Sequence, residues 1–303
     1  MQNRSLCDFS TIAQRDWVWR GWRIRYTFMR AAEASETSLP VVLLHGFGAS
    51  STQWIANLSI LSQHHTVYAL DFLGFGASEK AATAYRLQLW AEQIYEFWRS
   101  FIGQPIALIG HSLGSVVALM AAAAHPEMIR GLAMLTLPLD REEVIASPVF
   151  AIANTVERLF ANPLVLGPAF RILRQPRILR TVLKTAYANP TFVTEELVAS
   201  FAQPALERGS EKVFFRLAKG RTLPDYSPNI RPLLAQLQRP MLLLWGQQDR
   251  IVPIAQSRKL PALNPDLRLI EIPNAGHCLY DECAERVNLE LLNWIEAIGL
   301  GSA

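Results

Sequence analysis

The sequence predicts an α/β protein: a doubly wound, mostly parallel sheet of eight strands, with a helical cap inserted after strand six. Three observations carry this. Short apolar runs without alternation, such as Val41-Val42-Leu43-Leu44 and Met241-Leu242-Leu243-Leu244-Trp245-Gly246, read as strands buried on both faces. Helical patterns alternate with these runs, as parallel strands joined by crossover helices require. The alternation stops at Pro138 and resumes near Ala235, and no buried-strand run lies between them.

The elements follow in order. Trp17-Val18-Trp19-Arg20 and Trp22-Arg23-Ile24-Arg25-Tyr26 alternate around Gly21 and read as an opening antiparallel hairpin. After the strand at Val41-Val42-Leu43-Leu44, helices are expected over residues 53–63, 85–102, 113–125, 253–260 and 283–298. Pro105-Ile106-Ala107-Leu108-Ile109, Leu132-Ala133-Met134-Leu135-Thr136-Leu137 and Leu267-Arg268-Leu269-Ile270-Glu271-Ile272 supply further strands. Residues 1–137 and 236–303 should form the core, and 138–235 the cap. The cap holds Pro148, Pro163, Pro168, Pro176, Pro190, Pro204, Pro224, Pro228 and Pro232, read as spacers between short helices.

Bulk properties narrow the classes. A chain of 303 residues, 50% hydrophobic, can bury one large core and carry an inserted subdomain. A net charge of +3 is too small and too dispersed for nucleic-acid binding. Cys7, Cys278 and Cys283 are too few for a disulfide framework, match no zinc spacing, and fit a reducing compartment. Residues 1–16 are polar and lack an apolar signal core, so a cytoplasmic protein is expected. The longest unbroken apolar run, Val116 to Ala124, is too short to span a bilayer.

The chemistry concentrates at strand ends. Gly110-His111-Ser112-Leu113-Gly114 is a G-x-S-x-G turn between a strand-like run and an Ala-rich, helix-forming run. Such a turn is tight, so small residues must flank the serine, which stands at the tip of the sheet as nucleophile. The Leu113 N–H opens a helix and is aimed at an oxyanion. His45-Gly46-Phe47-Gly48 follows the first buried strand, and its Phe47 N–H is the second oxyanion donor. Gly46 and Gly48 let the backbone approach a ligand, while the His45 side chain packs locally. Asp249, just past Met241-Leu242-Leu243-Leu244-Trp245-Gly246, is the candidate acid. Asp140, after the sixth strand, is its competitor. His277, in the small-residue loop Pro273-Asn274-Ala275-Gly276-His277 after the last strand, is the candidate base. His111 neighbours the nucleophile and shapes the pocket, whereas His64, His65 and His125 read as surface or helix-end residues.

These parts together, in the order serine, acid, histidine, resemble the α/β-hydrolase superfamily from about Trp17 to Ile298. Asp71-Phe72-Leu73-Gly74-Phe75-Gly76-Ala77-Ser78 looks like the D-x-x-G-x-G-x-S loop after the fourth strand of many members. It lacks the third glycine of a dinucleotide loop. Ser112 stands where haloalkane dehalogenases and epoxide hydrolases carry Asp. The resemblance implies acyl transfer to water by Ser112, His277 and Asp249, without metal or organic cofactor.

A narrower likeness is to the pheophytinase and chlorophyll dephytylase relatives of oxygenic phototrophs. It rests on His45-Gly46-Phe47-Gly48-Ala49-Ser50, on Leu70 through Ser78, and on Gly276-His277-Cys278 with Asp281-Glu282. In the cap it rests on Arg174-Gln175-Pro176 through Ala186-Tyr187-Ala188-Asn189, then Val193-Thr194-Glu195-Glu196-Leu197-Val198 and Pro204-Ala205. That group commonly has Asn before the nucleophile. His111 here is the form of general esterases and lipases. The implied substrate is a long apolar ester such as the phytyl ester of a chlorin pigment, and the implied location is peripheral on a thylakoid membrane. A general esterase or acylglycerol lipase, a carbon–carbon bond hydrolase or perhydrolase, and a non-catalytic ligand receptor remain alternatives.

The cap's charge bears on partners. Residues 138–235 hold 13 basic and 9 acidic residues, against 29 and 26 in the whole chain. The positive excess therefore sits in the cap. From Arg171 to Lys184 basic residues recur about every third position with apolar pairs between them. A helical stripe of this kind suits an anionic membrane surface. An ordinary cap helix with a solvated arginine face is the alternative, and Pro176 interrupts the stripe.

Overall fold

The computed structural model describes residues 13–33, 35, 38–138, 163–221 and 229–300. Its centre is an eight-stranded sheet of order β1-β2-β4-β3-β5-β6-β7-β8. The strands are β1 (Ala13–Trp19), β2 (Trp22–Met29), β3 (Val41–Leu44), β4 (Val67–Leu70), β5 (Ile106–His111), β6 (Ile129–Leu135), β7 (Met241–Gly246) and β8 (Leu267–Ile272). β1 and β2 form the opening hairpin, and β2 runs antiparallel to β4. Every other pairing is parallel.

The uninterrupted apolar runs make the central strands because both faces are covered. β3, β5 and β7 are buried at every residue. Successive side chains point to opposite faces, so each strand feeds two cores. Val42, Leu44, Ile106, Leu108, Leu243 and Trp245 enter one, with Trp90 and Phe97. Val41, Leu43, Ala107, Ile109, Leu242 and Leu244 enter the other, with Trp54 and Trp294.

The core helices are α1 (Ile55–Leu61), α2 (Leu87–Phe101) and α3 (Leu113–Ala124), with α9 (Leu279–Glu282) and α10 (Ala284–Leu300) after β8. Two expectations change. Residues expected as a helix over 253–260 form only a 3-10 turn, Ile254–Lys259. There Ser257 Oγ donates to the Ile254 carbonyl at 2.8 Å, occupying an acceptor an α-helix would use. His65, expected at the surface, is buried and hydrogen-bonds through Nδ1 to the Leu39 carbonyl at 3.1 Å.

Between β6 and β7 the described residues form α4 (Pro163–Leu173), α5 (Pro176–Ala186), α6 (Glu195–Leu206), α7 (Ser210–Arg221) and α8 (Ile230–Gln236). Prolines punctuate this stretch less strictly than expected. Pro176 opens α5, where a missing N–H costs nothing. Pro168 and Pro204 instead lie inside α4 and α6. The basic stripe is thus split between two helices. These helices join both cores: Leu183, Tyr187, Val193 and Val198 enter one, and Val213, Leu217, Ile230 and Leu234 the other. Of the apolar pairs, Leu183 is buried and Leu179 packs on the core, while Val182 is exposed.

Candidate active site

Ser112 falls between the last residue of β5 and the first of α3, with φ 52° and ψ −114°. A non-glycine residue here is held in a sparsely populated conformation at a cost of about 1–3 kcal/mol. The surroundings hold it there. Its N–H donates to the carbonyls of Leu135 and Thr136 at 3.0 and 3.2 Å, and its carbonyl accepts from Ser115 and Val116. The flanking glycines are forced by contact. A Cβ on Gly110 would lie 2.3 Å from the Gly114 carbonyl oxygen, and one on Gly114 would lie 2.3 Å from that of Leu44.

Asp249 sits in the turn after β7 and is buried. Its Oδ1 accepts the N–H groups of Ile251 and Val252, both at 2.8 Å. Its Oδ2 accepts from His277 Nδ1 at 2.8 Å and from Thr136 Oγ1 at 3.3 Å. An acceptor on Nδ1 makes that nitrogen the N–H and leaves Nε2 with its lone pair. Asp140 lies outside the described residues. Thr136, the residue after β6, braces Asp249.

His277 is fixed by its backbone as well. Its N–H donates to the Ala186 carbonyl at 2.7 Å. Its own carbonyl accepts from His111 Nε2 at 3.0 Å. His111 therefore links the Ser112 turn to the histidine loop, with its ring 4.8 Å from that of His277 and also 4.8 Å from Tyr280. Burial pushes the His111 imidazole well below its ordinary range, and the neighbouring His277 adds to this, so the ring is neutral. Ser112 and His277 are not hydrogen-bonded to each other here. Such bonds are commonly long in free enzymes and tighten on substrate.

The His45-Gly46-Phe47-Gly48 loop lies beside this pair. His45 Nδ1 donates to the Gly46 carbonyl at 2.7 Å, and Nε2 accepts the Phe72 N–H at 3.0 Å. Both nitrogens are used within the core, and burial lowers the ring's affinity for a proton. The Gly46 N–H donates to Gln53 Oε1 at 3.0 Å, and a Cβ on Gly46 would meet His111 Nδ1 at 2.8 Å. Gly48 takes φ +74°. Phe47 projects outward, 48% exposed, its ring 5.5 Å from Phe75. Leu113 opens α3, so its N–H has no partner within the helix.

Some contributors went unread in the sequence. Asp71 ties the loops together: its two oxygens accept from the Ser51 and Ala77 N–H groups at 2.6 and 2.7 Å. Its D-x-x-G-x-G-x-S context was the available signal. Thr136 carried a weaker one, its place at a strand end. Among the described residues no group of three or more His, Cys, Asp or Glu is placed to hold a metal ion. A cavity of about 560 Å³, lined by Ile129, Arg130, Met241, Arg268 and Trp294, lies at the other end of the strands.

Comparison with known proteins agrees with this architecture. The model of the alpha/beta hydrolase fold family matches residues 40–283, and the chain belongs to that family. It is 27% identical over 261 residues to the dihydrolipoyllysine-residue acetyltransferase component of an acetoin cleaving system from Pseudomonas putida, covering 86% of this chain and 64% of that one. It is 24% identical to chloroplastic pheophytinase from Arabidopsis thaliana, covering 92% of this chain and 66% of that one. The chain thus spans slightly under two thirds of the length of both relatives. A crystal structure of a bacterial membrane phospholipase A superposes with a TM-score of 0.77 at 24% identity, covering 96% of this chain and 87% of that one. That likeness concerns the fold.

Proposed function

We propose that this hydrolase is a serine carboxylic-ester hydrolase acting on long apolar esters, the phytyl ester of a chlorin pigment among them. One observation carries the reading: the strained Ser112 turn shares an end of the sheet with the Asp249–His277 pair, joined to it through His111.

In this reading Ser112 Oγ attacks the ester carbonyl while His277 Nε2 takes its proton. The carbonyl electron pair moves to oxygen, where the Phe47 and Leu113 N–H groups receive it. Asp249 stabilises the imidazolium without itself becoming protonated. Collapse of the tetrahedral intermediate expels the alcohol, which takes the proton from His277. Water, deprotonated by His277, then attacks the acyl-Ser112 carbonyl, and Ser112 Oγ leaves with that proton. Each proton taken is returned, so no cofactor is consumed.

Substrate choice rests on the inserted helices and on likeness. The Arabidopsis relative's name is the support for a chlorin ester. The outward Phe47 and the exposed Ile172, Leu173 and Leu206 support an apolar tail and contact of the inserted helices with an anionic membrane. The test is hydrolysis of chlorophyll a, pheophytin a and a p-nitrophenyl ester chain-length series by the wild type and Ser112→Ala. The variant should lose activity by about 10³-fold or more, because the triad acts as a unit. Near-normal activity in Ser112→Ala would end the assignment. Preference for the shortest esters over both pigments would end the apolar-substrate reading.

A further inference from the structure

The loop that carries His277 is not held by the sheet alone. On its outer side it lies against the C-terminal end of α5, and the contact is backbone to backbone. A Cβ on Gly276 would lie 2.6 Å from both the Ala186 carbonyl oxygen and the Ala188 nitrogen. One carboxylate bridges this seam. Glu282 Oε2 accepts the Gly276 N–H at 2.6 Å, and Oε1 accepts the Asn189 N–H at 2.8 Å. Beside it the Tyr187 hydroxyl donates to Asp281 Oδ2 at 2.9 Å. The His277 N–H to Ala186 bond completes the seam.

We propose that Glu282 is a positioning residue: it clips the histidine loop to the inserted helices and so sets where His277 Nε2 stands relative to Ser112. This rests on the reading of His277 as general base. The residue type follows from the donors. Backbone N–H groups converge from both sides on one point, and only a group with acceptors on both oxygens satisfies them. Glutamine offers one acceptor and turns an N–H toward an N–H. The consequence falls on the imidazole because Gly276 directly precedes it and Asp249 holds Nδ1 as a pivot. A small shift of the loop therefore swings Nε2, and misplacement of about 1 Å at a reacting group costs on the order of 100-fold in rate.

The test compares full-length wild type, Glu282→Gln and Glu282→Ala. Each is first titrated to completion with a fluorophosphonate probe, which counts competent sites. Turnover per titrated site is then measured on a short p-nitrophenyl ester. Turnover per site should fall on the order of tenfold in Glu282→Gln and further in Glu282→Ala, with KM within about twofold of wild type. A merely structural brace would lower the titratable fraction and leave turnover per site unchanged, which would overturn the proposal. So would a raised KM with kcat retained. Should Glu282→Ala not fold, Glu282→Gln decides alone. Wild-type protein that is itself inert to the probe would refute the base assignment, a failure visible before any variant is compared.

Discussion

The sheet and the helices inserted between its sixth and seventh strands are built on different terms. β3, β5 and β7 expose nothing, and alternate residues divide between two cores. α5 buries Leu183 alone, and α4, α5 and α6 leave Ile172, Leu173, Val182 and Leu206 42–54% exposed. The rigid part carries the strained turn and the Asp249 acceptor set, where tenths of an ångström matter. The looser part carries the exposed apolar side chains. Among the described residues the two meet beside the candidate site at the seam from Ala186 to Asn189 against the His277 loop. Breaking the rigid part should therefore abolish turnover, and breaking the loose part should retune it.

The largest effect should come from Asp249→Asn. The four donors around the carboxylate keep the side chain in place, but an amide nitrogen facing His277 Nδ1 reverses the bond and the tautomer. Turnover should fall by about 10⁴-fold with the fold retained. Asp140→Asn should be mild by comparison. Steady-state kinetics on a p-nitrophenyl ester rank the two, and the opposite order would move the acid to the end of β6.

A smaller effect belongs to stability rather than rate. His45 and His111 are buried, and burial holds both rings below the ordinary value of 6.5. The unfolded chain takes up these protons as pH falls through about 6.5, while the folded protein refuses them until lower pH. In that window the unfolded state binds more protons. Stability therefore rises with pH there and is lost on acidification, by about 1.4 kcal/mol per pH unit for each histidine. Urea unfolding between pH 7 and 5 should show this slope. His111→Asn should make it shallower by one proton's worth, since an amide can still donate to the His277 carbonyl but does not titrate. An unchanged slope would mean His111 is protonated in the fold.

The rigid part was also the more legible. β3, β5 and β7 announce themselves as unbroken apolar runs, and the Ser112, Asp249 and His277 turns follow directly from where those runs and β8 end. What escaped reading was long-range. Thr136 meets Asp249 across 113 positions, and Glu282 meets Asn189 across 93. No local pattern marks either pairing, because each depends on how two loops face one another after the sheet has formed. In the inserted helices local signals misled. Proline normally punctuates, yet Pro168 and Pro204 are tolerated within helices, where each forgoes one backbone donor. Pro176, by contrast, interrupts the Arg171-to-Lys184 stripe as the sequence indicates, opening the second of two helices.

That break reshapes the smallest prediction, which concerns membrane contact. Arg171 pairs with Glu211 and Arg180 with Glu195, and Arg174 leans on the Ala205 carbonyl. Arg177 and Lys184, both exposed on α5, make no ion pair among the described residues. The apolar residues facing outward are Ile172, Leu173 and Val182, whereas Leu179 and Leu183 serve the core. Contact with anionic lipid should therefore run through Arg177 and Lys184, with Ile172 and Leu173 as the apolar component. Reversing Arg177 and Lys184 to Glu should weaken binding to phosphatidylglycerol-containing vesicles by about 1 kcal/mol per residue, an effect that fades as salt rises. Ile172→Ser with Leu173→Ser should lower activity on long-chain or phytyl esters more than on a short ester. Vesicle co-sedimentation and a chain-length series read the two halves separately. Binding indifferent to charge reversal would make Arg177 and Lys184 a solvated face. Equal losses on short and long esters would make Ile172 and Leu173 ordinary surface residues with no part in substrate choice.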